Sequence, residues 1–387
     1  MYTIEDLFDK RSVVGSKLEQ VLEQQGYTKA KICRESGISR PTLDKILSGM
    51  LSSKTNFEKH ITKILSVLSL TPDALLGSIQ NKYIQARTIR NAMQISADEI
   101  AKPTGISRER LQAIESGEEA STAELRDIAF SLSTGVRSVL GTSCFETQIA
   151  ELDIMLKAYS ENATPAGLSG FWGHVGILPI NATEYLWFPI TGTTRKMIYR
   201  SMDMDRVVIP CMNNKVLLLN MENIKEIILL DEACDQPNFT NWDPDVDCGG
   251  TPLAFYDAMY DFNPFYDRQI SSNVVSKSLQ EAIEEYIKHK EWGEDDIFAM
   301  LHENLIYHKD GHVERVDIDF NADENVTSEV SQILDFGDNA ILHKYLYYTA
   351  DDGIEVMLNM QNVSLIAMPL LKVEDAICSY LEELLDE

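Results

Sequence analysis

The stretch YTKAKICRESGISRPTLDKILSG, residues 27–49, decides the reading of the N-terminal third, because it recurs 68 residues later as ISADEIAKPTGISRERLQAIESG, residues 95–117. In both, a Ser or Thr (Thr28, Ser96) opens an apolar-periodic run, a glycine (Gly37, Gly105) closes it, and a second serine (Ser39, Ser107) opens the next. Caps at these positions predict two short helices joined by a turn, with the glycine taking positive φ. Beyond the repeat, a longer loop in the first copy changes the offset to 64, where Ile64, Leu68 and Leu76-Gly77 answer Ile128, Leu132 and Leu140-Gly141. Two copies of one small helical domain are therefore expected, at 1–78 and 79–141.

These residues resemble the helix-turn-helix domains of the Cro and lambda-repressor (XRE) family in both copies. The second also carries the family's closing Glu-x-Gly as Glu115-Ser116-Gly117, where the first has Leu47-Ser48-Gly49. The resemblance covers about a third of the chain. It implies double-stranded DNA as the partner, with the third helix of each five-helix domain entering the major groove. Carried over by position, the phosphate contact falls on Lys29 and base reading on Arg40, Asp44 and Lys45, with Ser39, Pro41 and Thr42 nearby. An arginine there is suited to holding guanine O6 and N7. Copy one adds Lys31 and Arg34, whereas copy two sets Arg108 and Arg110 among Glu109, Glu115, Glu118 and Glu119. Copy one is the better equipped reader.

The remainder is a different electrostatic object. Residues 1–150 hold 19 basic and 18 acidic side chains; residues 151–387 hold 15 and 43, which accounts for the formal net charge of −27. So acidic a half is a poor nucleic-acid ligand. The six cysteines stand apart, with no close pair, which fits a reduced, cytoplasmic compartment. No apolar run is long enough to span a membrane, so no membrane partner is expected.

A helix on Ile149, Leu152 and Leu156 and a linker are expected over 142–170. From Phe171 the pattern shortens to extended runs: 175–180, 185–190, 197–199, 206–210, 215–220 and 226–230, with a turn at Asn213-Asn214. A second echo appears at an offset of 139, where VLLLNMENI (216–224) is answered by EVMLNMQNV (355–363), and the turn at 213–214 by Asp352-Gly353. The fold class expected is multidomain α + β: two tandem all-α helix-turn-helix domains, then an acidic α+β region with two related antiparallel β modules. These modules lie at about 171–235 and 304–370, within regions bounded at 171–270 and 271–387. Between them helices are expected over 274–303, opened by a capping box Ser278-x-x-Glu281, and a last helix over 372–385. The strand ending in Asn-Met-x-Asn resembles the centre of Sm-like small barrels; asparagines bonding their own turn backbone explain it equally well.

No catalytic, metal or cofactor constellation emerges. Asp243, Asp245 and Asp247 alternate as in a calcium loop, yet Cys248 and Ala254 stand where that loop needs glycine and glutamate. His302, His308 and His312 lack companions at ligand spacing. Ser201 and the Ala166-Gly167 linker resemble a self-cleaving repressor, but no lysine sits at the expected distance in an apolar strand. From Asp231 to Asp267 there is no Lys or Arg, and acids alternate with aromatics, including Trp242, Tyr256 and Tyr260. Two readings stay open: a surface for a basic protein partner, or core aromatics with acids facing water. The function expected is a sequence-specific DNA-binding regulator whose acidic half oligomerises or senses a signal, and not an enzyme. The alternative is an antitoxin-like or anti-repressor module binding protein.

Overall fold

The computed structural model describes residues 4–9, 27–47, 53–68, 95–115, 118–145, 171–231, 240–242, 251–266, 270–318, 325–350 and 354–386, with isolated positions elsewhere. It is a mixed α and β chain with antiparallel sheets. The chain divides into two compact units, residues 1–82 with 115–118, and residues 83–114 with 119–387. The expected boundary is at 78; apart from residues 79–82 and 115–118, copy two shares one unit with the chain that follows it. The helix expected over 149–156, its linker and the turn at 352–353 lie outside the described residues.

In the first unit the labelled helices are α1 (Ile4–Asp9), α2 (Lys29–Ser36), α3 (Arg40–Leu47) and α4 (Lys54–Leu68). Thr28 caps α2, its hydroxyl accepting from Lys31 N at 3.2 Å. Leu7, Ile32, Leu43, Ile46, Phe57, Ile61 and Ile64 meet in one apolar core. Gly37 ends α2 at φ 66°, and its N–H bonds the Cys33 carbonyl. No atom would meet a Cβ there, so the demand for glycine is purely conformational. Gly37→Ala is expected to lower stability by about 1–2 kcal/mol, measured by denaturant unfolding. An unchanged midpoint would show that the turn tolerates a side chain.

The second unit starts with the same local plan: α5 (Ala97–Thr104), Gly105 at φ 70°, and α6 (Arg108–Glu115). Capping boxes close the starts of α5, at Ser96 with Glu99, and of α7 (Thr122–Ser131), at Ser121 with Glu124. A short α8 (Val136–Leu140) follows. Three later helices pack together: α10 (Leu253–Asp261), α11 (Lys277–His289) and α12 (Glu294–His302), around Phe255, Tyr256, Met259, Leu279, Ile283 and Ile297. The cap of α11 is Ser276 rather than the expected Ser278, because the Ser276 hydroxyl accepts from Leu279 N at 3.2 Å and donates to Asp127 at 2.6 Å. The final helix, α14, runs from Leu370 to Asp386.

Two β modules share one order of strands and helix, the second with an added 3-10 turn at Gly337–Asn339. The first has β1 (Phe171–Pro179), β2 (Leu186–Thr191), α9 (Gly192–Ser201), β3 (Arg206–Pro210), β4 (Lys215–Asn220), a 3-10 turn at Met221–Asn223 and β5 (Ile224–Asp231). In the second, β6 (Asn304–His308), β7 (Val313–Val316), α13 (Asn325–Phe336), β8 (Tyr345–Thr349), β9 (Glu355–Asn359), a 3-10 turn at Met360–Asn362 and β10 (Val363–Pro369) take the same places. The extended run expected at 197–199 is instead part of α9, which Thr191 caps by accepting from Thr194 N at 3.1 Å. Backbone bonds repeat at the 139-residue offset: Met221 N to Asp205 O and Met360 N to Lys344 O, Cys211 N to Lys215 O and Ala350 N to Ile354 O. The pairing Arg206↔Asn220 likewise becomes Tyr345↔Asn359.

The modules share a wall. The sheet β3-β4-β10-β6-β7 lies between β2-β1-β5 and β8-β9. With a side-chain period of two, one face sends Ile209, Leu217, Leu219, Leu365 and Ala367 into the first module's core. The other sends Val208, Val216, Leu218, Ile366 and Met368 into the second's, with α13 and α14. Both faces of β4 and β10 are thus buried, which explains the apolar runs Val216–Leu219 and Leu365–Pro369.

Candidate nucleic-acid interface

Helix α3 buries Leu43, Ile46 and Leu47 and turns Arg40, Pro41, Asp44 and Lys45 to solvent. Positions 40 and 44, and 41 and 45, are four apart, so the four side chains share one face. Ser39 opens the helix, its hydroxyl 2.8 Å from that of Thr42 and accepting from Thr42 N at 3.4 Å. Both hydroxyls expected near bases therefore also serve the helix start. Lys29 reaches Asp44 across the turn at 3.6 Å, with both side chains about half exposed. Pairs of this kind contribute about 0–1 kcal/mol, so a phosphate can displace the carboxylate at little cost. Lys31 lies 4.2 Å over the Tyr27 ring. Arg34 is exposed in the last turn of α2.

Copy two spends its cations differently. Arg108 pairs with Asp98 at 3.6 Å in the open. Arg110 forks onto Glu124 at 2.7 and 2.9 Å and also donates to the Glu119 carbonyl at 2.8 Å. The Arg110 hydrogen bonds hold the Glu124 carboxyl down at about 2, against the opposing effect of burial. Its folded value lies below the unfolded one, so this stabilisation is complete above pH 4.5 and fades as pH falls towards 2. Arg110→Ala is expected to lower the melting temperature at pH 7, and the gap to the native chain should narrow below pH 3. A gap independent of pH would show that Arg110 acts by packing alone.

Deeper in copy two sits Arg126, which was not singled out in the sequence. It is 4% exposed. Its Nε donates to Asp257 Oδ2 at 2.8 Å, Nη1 to the Val274 carbonyl at 3.0 Å and Nη2 to the Asp257 carbonyl at 3.1 Å. Asp261 pairs with Nη2 at 2.7 Å. Around it, Ala123 N bonds Asn273 O, Ala254 N bonds Thr134 O, and Ala254 enters the copy-two core. Further along, Arg137 meets Asp375 at 2.6 Å, Ser143 bonds Glu374, and Cys378 lies 3.3 Å from the Thr142 carbonyl. Burial pushes the Asp127 carboxyl up to about 6, opposed by the Ser276 hydroxyl. Copy two is riveted to the acidic half.

Part of the acidic aromatic segment lies among the described residues. Tyr256 is fully buried in the core of α10, α11 and α12, so it is core rather than an exposed binding surface. Tyr260 is 37% exposed and donates to the Leu301 carbonyl at 2.6 Å. Trp242 packs beside Leu178, Trp187 and Leu230 on the outer side of β2-β1-β5, edge-on to His174. Asp243, Asp245 and Asp247 lie outside the described residues. His302 packs on Tyr260 and Phe298, and His308 stacks on His312 and meets Glu314 at 3.2 Å. Among the described residues no three His, Cys, Asp or Glu gather as a metal site, and no helix is long and apolar enough to cross a membrane.

The asparagines of the duplicated turn act across modules rather than only within their own. Asn220 Nδ2 donates to Met360 O at 2.7 Å, and Asn223 Nδ2 to Gln361 O and Val363 O at 3.0 and 2.8 Å. Asn359 alone follows the local expectation, accepting from Gln361 N at 3.2 Å. Compared with known proteins, the chain matches no family model, no curated protein and no solved structure.

Proposed function

We propose that the chain is a sequence-specific DNA-binding regulator of the helix-turn-helix type, with α3 of copy one as the element that enters the major groove. The observation that carries this reading is the single exposed face of Arg40, Pro41, Asp44 and Lys45 on a helix whose other face is buried. Such a helix offers one bidentate guanine reader and one phosphate neutraliser within two turns. Lys29 supplies a further phosphate contact from α2. Copy two takes a different part: with Arg110 and Arg126 committed to Glu124, Asp257 and Asp261, it acts as an adaptor between the reader and the acidic half. That arrangement favours protein contact over base reading for copy two alone.

The test is selection of bound fragments from genomic DNA by the intact chain, at several salt concentrations. Specific binding should weaken linearly in log salt, with a slope set by the number of phosphates neutralised. Absence of any bound fragment at low salt, where the electrostatic attraction is greatest, would overturn the proposal and leave the protein-binding alternative.

A further inference from the structure

Strand β4 and its counterpart β9 occupy the same place in the two modules but have different neighbours. Between β3 and β10, β4 is paired on both edges, whereas β9 pairs with β8 alone among the described residues. The residues that match also differ in burial. Val208 and Leu218 are buried in the second module's core, while their counterparts at +139, Tyr347 and Met357, are 40% and 65% exposed. Asn223, tied to the next module's turn, is 1% exposed; its counterpart Asn362 is exposed. At the other end, β5 is the counterpart of β10, and it pairs only with β1 among the described residues. Among the described residues the repeat therefore ends with one unpaired edge of each kind.

We infer that a second copy of this chain adds its β5 edge to β9, repeating between chains the β4–β10 joint already present within each. An unpaired, apolar strand edge is a template for pairing, and here the fold itself contains the partner that fits. The register follows from the internal joint: Leu218↔Ile366 becomes Met357 opposite Ile227 of the second copy. That places Met357 at the rim of the second copy's first-module core, beside Ile227 and Leu229. Asn362 then takes the role of Asn223, donating to the carbonyls of the partner's turn at 222 and 224. The joint uses different surfaces on the two chains, so association either closes into a ring or extends.

Two measurements on the full chain test this. In sedimentation, the native chain should run larger than its 43.7 kDa monomer. Met357→Glu should reduce it to a monomer that keeps the native circular dichroism spectrum, since that side chain is largely exposed. In the second, Met357→Cys chains are mixed with Ile227→Cys chains under mild oxidation, because directly opposed residues place their Cβ atoms about 4.5–5.5 Å apart. A disulfide linking the two kinds of chain, absent when either is oxidised alone, is the expected result. A native chain that is monomeric at every concentration would overturn the inference. So would Met357→Cys chains that link to one another, which would show β9 pairing with itself.

Discussion

Arg40→Ala is expected to weaken specific DNA binding by about 1–3 kcal/mol, roughly five- to 150-fold, and to relax the preference at one base pair. Arg40 is the first residue of α3, exposed, on the same face as Asp44 and Lys45. On the proposed reading, its removal would delete a two-bond base contact, and it leaves the core residues Leu43 and Ile46 untouched. Lys29→Ala should behave differently, weakening all sequences alike and lowering the salt slope by about one. Asp44→Asn separates the two ideas further. It releases Lys29 from its 3.6 Å partner and removes a charge that repels phosphate, so non-specific affinity should rise. Arg108→Ala serves as the control, because Arg108 holds the matching place in copy two, where it pairs with Asp98. Equal binding after Arg40→Ala, or a larger loss after Arg108→Ala, would remove copy one from the reading role.

The helices that carry this argument were legible because their signals are local. Thr28, Ser96, Gly37 and Gly105 act on backbone within four residues of themselves, and a spacing pattern captures that. The duplicated β module was legible for a similar reason, since VLLLNMENI and EVMLNMQNV preserve the pairing of a hairpin and the turn after it. What failed to show is what depends on distant partners. Within α9, residues 197–199 read as a short extended run, because the helix start is fixed by Thr191 and by the Thr194 hydroxyl bonding the Pro210 carbonyl. Asn220 and Asn223 look like residues that serve their own turn, yet their bonds go to backbone some 140 positions away. Likewise the aromatics after Asp231 read equally as a surface or as core, and only the packing of α11 and α12 over Tyr256 decides for core at that residue. Of the candidate site, α3 could be drawn from sequence; the withdrawal of Arg110 into an ion pair with Glu124 could not.

Arg126→Ala should strongly damage the second unit, lowering stability by about 3 kcal/mol. The loss has two sources. Two carbonyls, of Asp257 and Val274, lose their donor, and the carboxylates of Asp257 and Asp261 are left facing each other without a cation. Water reaches part of this site, since Asp257 and Asp261 side chains are 29% and 47% exposed, which keeps the value at the low end for a broken buried pair. The same exposure orders the partner variants: Asp257→Asn should cost more than Asp261→Asn, whose charge water can partly replace. Because Arg126 joins α7 to α10, the loosening should be local. Hydrogen exchange is expected to quicken across 97–140 while β6 and β10, deep in the shared wall, stay protected. Exchange that quickens everywhere at once would mean the network holds the whole unit rather than the adaptor. Binding then tests the adaptor's part in function at a temperature where Arg126→Ala chains remain folded. If copy two only carries the reader, affinity for a selected site should be unchanged, and a loss matching that of Arg40→Ala would show that copy two touches the DNA as well.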